Sequence, residues 1–130
     1  MKLSFANTFA RIGALTYGGG IIAHVLNLIG VLPVEQMPTG VHVVLIVLAG
    51  YAVTGLLYFR ERLSLKNGWE KLFYALIVVH LGLSVLMHVY SVVTDSNTWI
   101  TFFPSWYSLL SIGYFAVFGY YCVLLNERME

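Results

Sequence analysis

Apolar residues in this chain do not alternate with polar ones; they gather into four long blocks separated by short polar connections. Each block approaches the roughly 20 residues that a helix needs to cross the hydrocarbon layer. The first runs from about Ile12 to Leu32 and the second from about Val41 to Phe59, with the breakers Pro33, Pro38 and Gly40 between them. The third, WEKLFYALIVVHLGLSVLMHVYSVVT, starts at Trp69 after the charged segment RERLSLKNG. The fourth covers about Ser105 to Leu125, beyond a connection that ends at Pro104. The pattern predicts an all-α integral membrane protein. It forms one domain over residues 1–130, with spans at about 12–32, 41–59, 69–94 and 105–125 in an up-and-down four-helix bundle. The first block does not read as a signal peptide, because Thr16, Tyr17 and Gly18 to Gly20 interrupt it and no small-x-small cleavage site follows.

Composition agrees with this class. The chain is 59% hydrophobic and 10% charged, with a mean hydropathy of +0.82, whereas soluble domains carry about a quarter of their residues as charges. A net charge of +1 without clustered Lys and Arg argues against nucleic acid as a partner and leaves the lipid bilayer as the main environment. Cys122 is the only cysteine, so an intrachain disulfide and a Cys-x-x-Cys dithiol are both excluded.

The distribution of charge predicts an orientation. Lys2 and Arg11 precede the first span, Arg60, Arg62, Lys66 and Lys71 surround the central connection, and Arg128 follows the last span; the other two connections carry only Glu35 and Asp95. Basic residues in short loops accumulate on the cytoplasmic side, so both termini are expected there, in a bacterial inner (cytoplasmic) membrane. Trp69 at the inner boundary and Trp99 and Trp106 at the outer one fit the headgroup preference of indole rings.

Polar residues inside the spans supply the candidate chemistry. On span one, Gly13, Thr16, Tyr17, Gly20, His24 and Asn27 recur at helical spacing and form a stripe expected to face protein. Gly50, Tyr51, Thr54, Gly55 and Tyr58 do the same on span two, and Ser108, Ser111, Phe115, Phe118 and Cys122 on span four. Small residues of this kind allow close helix approach, and Gly18 to Gly20 would also leave room for a flat cofactor. Span three carries His80 and His88, ionisable groups that are costly in a bilayer and therefore mark sites or interhelical hydrogen bonds.

Depth predicts how the histidines combine. His24 should lie about 12 Å inside the outer end of span one and His88 about 10 Å inside Asp95, on helices that face each other diagonally. They form a candidate bis-imidazole pair for b-type haem, or a quinone contact. A separate outer-rim site, built from His42, His88 and Asp95 or Glu35, would suit a divalent metal. His80, deeper along span three, is expected to pack and hydrogen-bond, and His42 to be solvated near the headgroups. No Asp, Glu, Lys or Arg occupies the middle of a span, which argues against an enzyme. Three functional readings follow. The leading one is a small non-catalytic subunit or accessory protein of a larger, respiratory or other, membrane assembly, contacting partner subunits or its own copies. The second is an electron-transfer or sensing module with haem or quinone at His24 and His88. The third is an outer-leaflet metal-binding protein.

Overall fold

In a computed structural model, residues 5–98 and 106–128 are described, and they form four long α-helices: α1 Phe5–Leu28, α2 Thr39–Tyr58, α3 Gly68–Thr94 and α4 Trp106–Glu127. No strand occurs among the described residues. All four helices are long and apolar enough to cross a membrane. Lys2 and Trp99, used above to argue orientation, lie outside the described residues, as does Ser105, the expected start of span four.

Local chemistry sets the ends. α1 stops at Leu28, a full turn before the expected Leu32, because Gly30 adopts φ +73°, a left-handed conformation that glycine takes without penalty. The Asn27 side chain fixes this turn by accepting from the Val34 backbone N–H at 3.1 Å. α2 follows directly on Pro38, whose fixed φ suits the entry to a helix. Asn67 caps α3 by accepting from the Glu70 N–H at 3.0 Å, and the Glu70 carboxylate reaches back to the Lys66 N–H at 2.6 Å, so two donors at the helix start are satisfied reciprocally. Tyr74 donates to the Leu56 carbonyl at 3.0 Å, satisfying one of the last carbonyls of α2.

Neighbouring helices run antiparallel. Arg11 meets Asn126 at one end of the α1–α4 pair and His24 meets Ser108 at the other. Phe9 stacks on Phe59 between α1 and α2, at a centroid distance of 5.5 Å. α3 lies beside α2, with Gly50 against Val85 and Tyr74 against Leu56. α3 and α4 are also neighbours, but their backbones stay apart and long side chains bridge the gap.

Glycines decide which pairs come close. A Cβ at Gly20 would lie 2.5 Å from the Phe115 ring, one at Gly119 3.2 Å from Tyr17 Cβ, and one at Gly13 3.2 Å from Cys122 Sγ. Gly55 admits Phe9 in the same way. Gly18 and Gly19 meet nothing and point outward, so only the third glycine of the triplet serves packing. Thr16 and Tyr17 of the span-one stripe are buried, but the face expected for span two is corrected: Thr54 and Tyr58 are exposed, while Ala49, Ala52 and Leu56 face the core. Small apolar side chains serve close approach there better than a threonine and a tyrosine would.

Candidate functional site

Three groups of polar side chains inside the bundle lie within or towards the half where α1 ends and α4 begins. The deepest centres on His80 of α3. The Tyr17 hydroxyl from α1 lies 3.1 Å from His80 Nδ1, and the Tyr114 hydroxyl from α4 lies 3.4 Å from His80 Nε2. Tyr114 continues to the Tyr107 hydroxyl at 2.9 Å, while Ser111 donates to the Tyr107 backbone carbonyl at 2.8 Å. Rings enclose His80: Tyr17 is stacked at 5.5 Å, and Tyr114 and Phe115 meet it edge-on at 5.3 and 5.2 Å.

The second group joins α1 to the start of α4. His24 Nδ1 lies 3.0 Å from the Ser108 hydroxyl oxygen, which also accepts from the Asn27 amide at 2.9 Å. A hydroxyl carries one proton and two lone pairs, so Ser108 can serve Asn27 and His24 at the same time. The Phe115 ring separates His24 from His80, edge-on to both.

The third group lies between α2 and α3, where His42 Nδ1 and His88 Nδ1 are 2.7 Å apart. Two neutral imidazoles can hydrogen-bond in this way only if one carries its proton on Nδ1 and the other on Nε2. His42 is 2% exposed, so the expectation of a solvated residue is corrected: it stands in the first turn of α2 but faces α3. Among the described residues, His42 Nε2 is the only buried side-chain nitrogen or oxygen without a hydrogen-bond partner. An orphaned N–H is costlier than a bare lone pair in such surroundings, which favours His42 as the Nδ1 donor and His88 as the acceptor.

The histidines are therefore paired differently from the sequence expectation. His24 and His88 do lie towards the same end, but His24 turns to α4 and His88 to α2. Eight residues separate His80 from His88, which rotates them by about 80° around α3; with His80 on the α1–α4 side, His88 falls on the α2 side. Of the expected metal set, the structure brings His42 and His88 together. Asp95 is an exposed left-handed residue at the end of α3, and Glu35 is exposed in the α1–α2 connection, where its carbonyl accepts from Asn97 at 3.2 Å. No group of three His, Cys, Asp or Glu side chains placed to hold a metal ion occurs among the described residues. Cys122 is buried between α1 and α4, against Gly13. Sequence reasoning passed over Tyr107 and Tyr114; their spacing of seven puts both on one face of α4, and that was the available signal.

No protein-family model, curated protein or solved structure matches this chain.

Proposed function

We propose that the chain is a small non-catalytic subunit or accessory protein of a larger membrane assembly, crossing the bilayer four times in up-and-down order with both termini in the cytoplasm. One observation carries the reading: the histidines within the spans are engaged by side chains of other helices, His24 by Ser108, His80 by Tyr17 and Tyr114, and His42 by His88. Their polar capacity goes largely into holding the bundle together. The outward helix faces, rich in exposed Leu, Val and aromatic residues such as Leu15, Leu86, Leu109 and Tyr120, are left as the surface for lipid and partner subunits. Gentle solubilisation of native membranes followed by native electrophoresis tests it. The chain should migrate in a particle well above one 14.6 kDa subunit with its micelle, and migration as a lone chain would sink the proposal. Reporter fusions after Glu130 and within residues 60–68 should read cytoplasmic, and fusions within residues 33–40 external.

A second reading rests on the unpartnered His42 Nε2 beside His88: a metal-binding role for this pair, in place of a complete three-ligand site with Asp95. Metal analysis of purified protein with and without His42→Ala decides it. An absorption spectrum of the same sample tests the haem reading, in which His24 and His88, each engaged at Nδ1 by a different helix, would both have to reach one iron.

A further inference from the structure

Histidine in a transmembrane bundle needs only one partner to act as glue. His80 has two, on two different helices, and one of them leads on to a third phenol: Tyr17, His80, Tyr114 and Tyr107 form an unbroken hydrogen-bonded series. It starts at Tyr17, 1% exposed in the core, and runs outward to Tyr107, a partly exposed residue at the second position of α4. Tyr114 lies about 10 Å deeper along the helix than Tyr107. The other two groups do not extend in this way. Ser108 ends the His24 group by serving both His24 and Asn27, and the His42 and His88 rings face each other.

We infer that this series is a proton relay, with His80 as the buried acceptor and Tyr107 as the point of uptake from water at the membrane surface. In the tautomer that carries its proton on Nδ1, His80 donates to the Tyr17 oxygen and turns the Nε2 lone pair to Tyr114. A proton taken up on the Tyr107 oxygen allows the original Tyr107 O–H bond to break as its proton bonds to the Tyr114 oxygen. The Tyr114 O–H bond then breaks as an N–H bond forms at His80 Nε2. One proton has entered, both phenols are neutral again, and His80 is an imidazolium; release is the reverse, with no electron transfer and no co-reactant.

Tyr17 and Tyr114 offer phenol oxygens as acceptors to the two N–H groups of the charged ring. The titratable groups facing His80 are Tyr17 and, beyond Phe115, His24 from α1 and Tyr114 from α4; α2 faces the core with Ala49, Ala52, Leu56 and a partly buried Tyr51. The charged Arg11 and Glu70 lie at the opposite end of the bundle from Tyr107, where α1 and α3 begin. The relay therefore opens towards one side of the membrane, and Cys122 and Leu125, both fully buried, stand between Tyr17 and the other.

The test uses the full chain in nanodiscs with 15N-labelled histidine, following each imidazole by exchange-sensitive NMR as the pH is lowered from about 7.5 to about 4, past the ordinary imidazole range. Tyr114→Phe keeps the ring packing and removes the hydroxyl. It should slow protonation and N–H exchange at His80 by about 10-fold or more, with His24, His42 and His88 unchanged. Tyr107→Phe, further from the core, should also slow His80 and serves if the Tyr114 variant proves unstable. An unchanged His80 rate in both variants, parallel changes at all four histidines, or a His80 that stays neutral throughout would each overturn the relay.

Discussion

Helix α4 meets its two neighbours by opposite means. Against α1 it comes close: Gly20 receives the Phe115 ring, Gly119 receives Tyr17, and Ser108 bonds to His24 and Asn27. Against α3 it stays apart, and the space is spanned by Tyr114 reaching His80, Tyr121 tilted against Phe73 at 5.8 Å, and Arg128 paired with Glu70 at 2.6 Å. Where water supplies no hydrophobic drive, close packing of small residues and hydrogen bonds are two separate routes to helix association. One helix combines the two on its α1 face and leans on long side chains alone on its α3 face, and the hydrogen-bonded series that reaches the core spans the wide side.

Substitutions can break this contrast. The largest effect should come from Gly20→Leu, which forces a branched side chain into the Phe115 ring and should destabilise the bundle by about 3 kcal/mol in reversible unfolding from mixed micelles. Gly18→Leu, two residues away and outward-facing, should change stability by less than about 0.5 kcal/mol; equal effects would mean that α1 does not pack on α4 as described. Ser108→Ala removes the partner of both His24 and Asn27 and should cost about 1 kcal/mol, since interhelical hydrogen bonds in membranes average about 0.6 kcal/mol each. In double-mutant cycles, His42 and His88 should couple by about 0.6 kcal/mol, whereas His24 and His88 should be additive. Coupling of the second pair instead would restore the arrangement expected from depth. The smallest effect should be that of Arg128→Ala, a change in melting temperature near the error of measurement and absent at high salt, because the ion pair with Glu70 is solvent-exposed.

Much of the fold was legible in the sequence because a membrane span announces itself by length and apolar content, and the bilayer leaves few alternatives to a helix. The Gly13 to Asn27 stripe was legible for a related reason: polar and small groups on one helix face must seek protein. Pairings were less legible. Depth along a helix comes from counting residues, and it placed His24 and His88 towards the same end; which neighbour each side chain meets depends on how the whole helix is rotated, which counting does not supply. His42 shows the same limit, since its position near the start of α2 suggested solvent whereas rotation of the helix buries it against His88. Tyr107 and Tyr114 were missed because an aromatic residue in an apolar span resembles ordinary core until a hydroxyl is found opposite.

The close partnership of α1 with α4 has a consequence for how the chain is made. The ribosome delivers α1 first and α4 last, at about 5–20 residues per second, so the span bearing Tyr17, His24 and Asn27 enters the bilayer seconds before Ser108 exists to receive two of them. During that interval α1 can lean on α2, through Phe9 and the cleft at Gly55 near the end opposite His24, and on α3, through Tyr17 and His80. The newborn helix therefore carries His24 and Asn27 through that interval without their final partner, and the arrival of the last span completes the polar pairing of the first.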